Sequence, residues 1–279
     1  MTGAMACFTL QDMFIKWVAV GVPAGQILAL MGVFGALTFA ALARREGARI
    51  FAPAVLHPAV LTRNIGEMIG TLGFINALAT LPLSTLSAII QAMPLAVTFG
   101  AALFLRETVG WRRWSAIAVG FVGVLVVVRP GSDSFTPYAF WGVLTVAGLS
   151  TRDLATRFIP RNISTLQLST WGFATVGALG ALLLMISRDA VALDLRQSLI
   201  MAAALGFGIA GYWAITAAMR VGEVATVTPF RYARLVFALG ISVLVFDETI
   251  DRTMLLGAGL VIGSGLYSFA RERRLRRAT

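Results

Sequence analysis

The sequence predicts an all-α integral membrane protein of ten transmembrane helices, built as two inverted five-helix repeats. Three observations carry that prediction. First, the 279-residue chain is 58% hydrophobic and only 13% charged, with a mean hydropathy of +0.84. That leaves too little polar surface to cover a water-soluble globule, so lipid must face much of it. Second, apolar runs of about 20 residues, the length that crosses a bilayer core, recur at 3–20, 24–43, 64–82, 84–105, 111–129, 138–158, 164–187, 197–219, 223–246 and 253–270. Third, the pattern of Ser84 to Val128 returns from Ala225: an apolar run, a charged turn (R-E-T, then D-E-T) and a second apolar run. Glu107 and Glu248 stand 141 positions apart, as do Thr108 and Thr249, Asp12 and Asp153, Lys16 and Arg157, Gln26 and Gln167, Gly70 and Gly211, and Thr85 and Thr226. One gap-free offset over so many pairs marks two halves on one plan, expected at 1–141 and 142–279. Five spans is an odd number, so the second copy enters the membrane from the opposite side.

The first span has no basic residue before it and holds charges inside its apolar run, so it is expected to be retained rather than cleaved as a signal peptide. Those charges, Asp12 and Lys16, lie one turn apart on one face. An ionised group at the centre of a spanning helix costs about 2.5–3.5 kcal/mol, so both are expected to face the interior or a wet cavity. They read as a self-neutralising structural pair, as a substrate or proton site, or as contacts to lipid head groups. Trp17 reads as an interface anchor. The second span ends at Arg44, and 44–63 form a basic connection in which His57 reads as a solvated loop residue.

The third span opens with Glu67 and carries Gly66, Gly70 and Gly73 on one side, a spacing that lets helix backbones approach. Asn76 follows, an amide that needs a partner in another helix or in a ligand. In the fourth span Pro94 is expected to kink the helix and free the Ile90 carbonyl beside Gln91, a setting for a cavity. Glu107 sits at that helix's C-terminal end, where the macrodipole disfavours a negative charge. It is expected to accept hydrogen bonds from the start of the fifth helix or to pair with Arg112 or Arg113. The fifth and tenth spans carry no charge and read as lipid-facing packing helices.

The sixth span brings Arg152, Asp153 and Arg157 near one surface, and its Asp-to-Arg spacing copies the Asp-to-Lys spacing of the first. The seventh carries Gln167 and Trp171. The eighth sets Gly206, Gly208 and Gly211 beside Tyr212 and Trp213, aromatics that read as core, as interface anchors, or as a platform for an apolar substrate side chain. The ninth contains T-P-F-R-Y-A-R, in which Pro229 is expected to kink the helix while Arg231 and Arg234 face adjacent sides. At 1.5 Å per residue, Arg231 lies at the depth of Asp153.

Arginine and lysine are retained on the cytoplasmic side. With the N-terminus inside, the inner segments hold Arg44, Arg45, Arg49, Arg63, Arg106, Arg112, Arg113, Arg157, Arg161, Arg220 and the five tail arginines from Arg271 to Arg277, against Arg129, Arg188, Arg196 and Arg252 outside. Both termini are therefore expected to be cytoplasmic, and contact with anionic head groups accounts for the net charge of +10 better than nucleic-acid binding does. A lone Cys7 excludes a disulfide within the chain, and a lone His57 leaves no pair for a histidine metal site or a Ser-His-Asp triad. There is no P-loop, so ATP-driven pumping within this chain is excluded. No cofactor or metal is expected, and the implied partners are a small-molecule substrate and the lipid bilayer.

Each half closes with a glutamate after an apolar run, a short polar turn and a glycine-studded last helix: R-E-T-V-G-W-R-R-W then G-F-V-G, and D-E-T-I-D-R then G-A-G-L-V-I-G-S-G. This pattern resembles the ten-helix EamA-type branch of the drug/metabolite transporter superfamily, over nearly the whole chain. The second copy departs from it at Asp247, where a small residue often precedes the glutamate, and at Asp251. The resemblance implies a multi-pass protein of the bacterial inner membrane that exports amino acids or other small metabolites, most like the amino-acid exporters. The alternative is an uptake carrier or facilitator for another small metabolite.

Inverted repeats, paired intramembrane charges and kinked helices together point to a secondary transporter with its site near mid-depth between the halves. A channel predicts rings of like residues, and a membrane enzyme needs a nucleophile with a base, neither of which is visible. The residues expected to gate or couple transport are Asp12, Lys16, Asp153, Arg157, Arg231 and Arg234. Asp153 with Arg231, joined by Arg234 and Glu67, is expected to make an inner gate when the cavity opens outward. The substrate is then expected among Asn76, Gln91, Tyr212, Trp213 and Tyr232. Arg231 and Arg234 also read as ligands for a substrate carboxylate, or as side chains snorkelling to head groups.

Overall fold

The computed structural model describes residues 1–48, 50, 56–104, 110–131, 136–160, 162–221 and 228–278, and the described residues are helical with short connections. Arg49, Arg106, Glu107, Thr108, Arg161 and Thr226 lie outside them, and the expectation for Glu107 with them.

Helices α1 (Thr2–Val18) and α2 (Ala24–Arg45) are joined by a turn that ends in Pro23, whose fixed φ of −58° leads into α2. Helix α3 (Pro58–Thr80) starts earlier than the apolar run predicts. Pro58 occupies its first turn, where no backbone donor is needed, and the His57 ring accepts the Ala59 N–H at 3.2 Å. His57 is thus a helix cap rather than an idle loop residue, and its early start carries Arg63 and Asn64 into the bundle. The fourth run splits into α4 (Leu83–Ile90) and α5 (Met93–Phe104). The Ala92 N–H bonds back to Ile89 in a tightened turn, the break Pro94 imposes by lacking the N–H that would reach Ile90.

Helix α6 (Trp111–Val128) follows, then α7 (Ala139–Thr156) and α8 (Thr165–Ser187), which opens with a capping box between Ser164 and Gln167. Helix α9 (Leu195–Val221) precedes a 3₁₀ turn over Thr228–Tyr232, and α10 (Ala233–Phe246) and α11 (Arg252–Ala278) complete the chain. The 3₁₀ turn contains Pro229, so the described part of the ninth run opens as a tighter helix and is α from Ala233. Asp247 and Asp251, the two departures noted in the sequence, both have local work. Asp247 terminates α10 in the left-handed region at φ 50°, and Asp251 caps α11 through the Met254 N–H while pairing with Arg129 at the end of α6.

Six described helices, with α4 and α5 taken together, are long and apolar enough to cross a membrane: α2, α4–α5, α6, α8, α9 and α11. Large apolar side chains such as Phe104, Trp111, Phe140, Ile186 and Leu244 lie on the outside, where lipid rather than water can solvate them. It is a multi-pass membrane protein.

Helices pack in pairs: α2 on α8, α3 on α7, α1 on α9 and α6 on α11. Glycines set the closeness of three of these seams, α6 on α11 through Gly123 and Gly257 among them. A Cβ on Gly32 would sit 2.2 Å from the Gly177 backbone nitrogen, and one on Gly148 would sit 2.4 Å from that of Gly70. The glycine side of α3 therefore faces α7. One end of the bundle is filled by an apolar cluster that includes Ile15, Val18, Ile27, Leu78, Leu81 and Leu83. This is the Lys16 end; the opposite one is the Arg152 end.

Candidate functional site

Between the paired helices lies a cavity of about 250 Å³ whose walls come from α1, α2, α3, α4, α7, α8, α9 and α10. Its lining is mixed. Phe8, Phe74, Phe173, Ile75 and Val176 give apolar wall, whereas Asp12, Arg63, Glu67, Arg152 and Arg234 bring five charged groups.

The charges form two clusters. In the first, Arg234 of α10 donates Nη2 and Nε to the same Asp12 oxygen, Oδ2, at 2.7 and 3.3 Å, tying α10 to α1. Its guanidinium lies over the rings of Phe8 and Phe74, 5.8 Å from each centroid, which fixes its plane. Asp12 is 2% exposed, and such a carboxylate is tolerable only with a charged partner. In the second cluster, Arg152 bridges Glu67 at 3.1 Å and Asp153 at 2.8 Å. Arg63 donates to Asn64 Oδ1 and the Leu168 carbonyl at 3.2 and 3.3 Å and approaches Glu67 at 3.5 Å, so α3, α7 and α8 are cross-linked at the Arg152 end. Tyr212 hydrogen-bonds to Ser169 beside it.

A third group closes the Lys16 end. Lys16 Nζ donates to the Leu81 carbonyl, pairs with Glu248 at 3.2 Å and lies 5.2 Å over the Phe246 ring. Glu248 in turn accepts the Leu83 N–H at 2.7 Å, the Ser84 N–H at 3.2 Å and the Ser84 hydroxyl at 2.8 Å. A carboxylate is thereby seated on the N-terminus of α4, where unpaired N–H groups and the helix dipole favour it. Burial pushes the Glu248 carboxyl up, but the bonds from Leu83 and Ser84 prevail and hold it below its ordinary value. The ends of α1, α3, α4 and α10 are latched together by these two side chains.

Several expected contacts take other forms. Asp12 and Lys16 do not pair with each other: each reaches across the bundle, to Arg234 and Glu248. Asp153 is bonded to Arg152, and no ion pair joins it to Arg231 among the described residues, although its charge acts on Arg231 through space. Arg234 and Glu67, expected to join that gate, belong to separate clusters. Arg157 caps α7 at the surface. Of the five residues expected around the substrate, Tyr212 lines the cavity. Trp213 points outward and is 72% exposed, since consecutive residues on α9 face different sides. Asn76 is satisfied within its own helix by the Leu72 carbonyl at 2.8 Å. Gln91 donates to the Tyr232 carbonyl at 3.2 Å, joining the break in the fourth run to the 3₁₀ turn of the ninth, and the Tyr232 ring runs to Gly265 of α11.

Sequence reasoning passed over Arg63 and the phenylalanines Phe8, Phe74 and Phe173. The signal for Arg63 was the Pro58 start of α3; the phenylalanines carried none, because one aromatic in an apolar span looks like any other.

The EamA-like transporter family model matches residues 1–129 and 136–269. Among curated proteins, the chain is similar to the riboflavin transporter of Rhizobium johnstonii, 27% identical over 78% of this chain and 72% of that protein. It is similar to the S-adenosylmethionine uptake transporter of Rickettsia conorii, at 23% over 77% and 72%. The pseudopaline exporter CntI of Pseudomonas aeruginosa is 25% identical over 91% of this chain and 89% of its own. A solved crystal structure shares the fold, with a TM-score of 0.62 and 20% identity over 98% of this chain and 97% of that one. With nearly all of its length matched by the family model, and a charged, aromatic-walled cavity at its centre, the chain belongs to the EamA-like transporter family.

Proposed function

We propose that this transporter is an alternating-access carrier that exports small metabolites, amino acids with apolar or aromatic side chains foremost, across the bacterial inner membrane. The observation that carries the reading is the cavity: about 250 Å³, lined by apolar wall and charge, and shut at the Lys16 end by an apolar cluster and the Lys16–Glu248 latch. Drug-sized ligands occupy pockets of about 300–1,000 Å³, so this volume favours a smaller metabolite. Export is supported by the pseudopaline exporter, whose likeness spans more of this chain than that of the riboflavin and S-adenosylmethionine proteins. Those two keep an uptake carrier as the second reading.

Ten spans in two inverted halves, 1–141 and 142–279, are part of the proposal. If 1–141 and 142–279 are equivalent, α1 on α9 is the mate of α7 on α3, while α2 on α8 and α6 on α11 are each their own mate; the packing has this form. Gln91 and Tyr232, which touch, stand at the common 141-residue offset, as expected of residues near a two-fold axis. The arginine bias assigns the Arg152 end and both termini to the cytoplasm. The test is flux in proteoliposomes of labelled amino acids, riboflavin and S-adenosylmethionine, with and without a pH gradient. Amino-acid flux above protein-free vesicles is expected. Flux of riboflavin or S-adenosylmethionine alone replaces the amino-acid reading, and flux of none of them defeats the carrier reading for these substrates.

A further inference from the structure

We infer that the Asp12–Arg234 pair is the head-group site of the carrier, a clamp for a zwitterion in which an ammonium and a carboxylate sit on neighbouring atoms. The inference rests on the carrier reading above and names its substrate class from three observations.

The first is what the pair leaves free. Arg234 spends Nε and Nη2 on one oxygen of Asp12, Oδ2. Among the described residues Asp12 Oδ1 accepts no hydrogen bond and Arg234 Nη1 donates none, yet neither atom is sealed from open space, and both residues line the cavity. Accessible at a cavity wall, the acceptor and the donor can exchange water for a ligand carrying the converse pair. An ammonium suits Oδ1 and a carboxylate oxygen suits Nη1, both as charge-assisted bonds.

The second is charge balance. Arg234 is neutralised by Asp12, while Arg63, Arg152 and Arg231, on which Asp153 also acts, outnumber Glu67 and Asp153 by one positive charge. The pair itself carries no net charge to call for a net anion or a net cation, and carrying net charge through the bilayer core is costly. A zwitterion meets both conditions. The third is contrast with the other cluster: Arg152 and Arg63 are engaged with Glu67, Asp153, Asn64 and the Leu168 carbonyl, which makes that group a cross-link between helices. Phe8 and Phe74 act as positioning residues that hold the Arg234 plane, and the side chain of the ligand lies against Phe173, Ile75 and Val176.

The test uses the wild-type protein and changes the ligand, so that folding is not in question. Labelled L-phenylalanine is exchanged in proteoliposomes and bound to the purified protein in detergent, against L-leucine, N-acetyl-L-phenylalanine and L-phenylalaninamide. L-leucine is expected to compete, whereas each blocked analogue, having lost one of the two charges, is expected to be weaker by about tenfold or more. Asp12→Asn is expected to weaken L-phenylalanine binding by a similar factor, with Asp12→Glu restoring part of it. Either blocked analogue competing as well as L-phenylalanine overturns the clamp, as a merely structural pair would allow. Riboflavin or S-adenosylmethionine flux with no amino-acid binding overturns the clamp and leaves the carrier standing; head-selective binding without any flux does the reverse.

Discussion

At the scale of single residues, the Lys16–Glu248 latch gives the sharpest expectation. Its two side chains are only 18% and 12% exposed, and the carboxylate holds three hydrogen bonds from α4, so the pair is far stronger than a surface ion pair. Glu248→Gln keeps the shape but loses the charge, and charge-assisted bonds contribute about 1.5–3 kcal/mol each. With Cys7→Ser removing the native thiol and a cysteine at Ile15 in the cavity wall, an impermeant maleimide should react faster from the Lys16 side once the latch carries glutamine. An unchanged rate would mean that the latch does not hold this end shut. The pH dependence follows from the depressed Glu248 pKa. The latch contributes fully above the ordinary value of 4.5 and loses its contribution as pH falls through the lower folded value. Relative to a freely exposed cysteine, whose own thiolate fraction falls with pH, labelling should therefore be flat from about pH 8 to 5.5 and rise only in stronger acid. Asp12 and Arg234 were legible in the sequence, because a charge inside a spanning run must be explained. Their pairing was not: an i,i+4 spacing reports neighbours on one helix, and the partner of each charge lies on another.

At the scale of helices, the glycine seams decide how closely the pairs approach. Gly148→Ala places a methyl 2.4 Å from the Gly70 backbone, and Gly32→Ala places one 2.2 Å from that of Gly177; backbone cannot step aside as a side chain can. Each should destabilise the protein by about 1–3 kcal/mol, read as a lower Tm in detergent. Gly206→Ala and Gly240→Ala meet nothing within 4 Å and should be neutral or stabilising by up to about 1 kcal/mol. Equal effects in the two sets would show that the seams are not close-packed. Helix positions were readable because apolar run length is set by the bilayer, and the break before Pro94 was readable because a missing N–H acts locally. The start of α3 was not, since Thr62, Arg63 and Asn64 look like loop until Pro58 and His57 are recognised as a helix opening.

At the scale of the whole molecule, the repeat in the sequence and the pairing of helices argue for one mechanism. On the proposed two-half architecture, the halves meet near Gln91 and Tyr232 and rock about that contact, so that the latched Lys16 end opens as the Arg152 end closes around a ligand held at Asp12 and Arg234. The helical membrane class was legible in composition, because membrane solvation leaves marks along the entire chain, and the 141-residue offset is what the proposed two-half architecture rests on. The cavity lining was less so, because which side of each helix faces inward is settled by packing between helices. A carrier of this kind exposes its site to one side at a time, and that is what separates it from a channel. The most direct measurement is trans-stimulation: entry of labelled L-phenylalanine into proteoliposomes, with and without unlabelled L-phenylalanine inside. The account predicts several-fold faster entry into loaded vesicles, as a ligand-bound site returns faster than an empty one. Equal entry, rising in proportion to concentration without saturation, would contradict it.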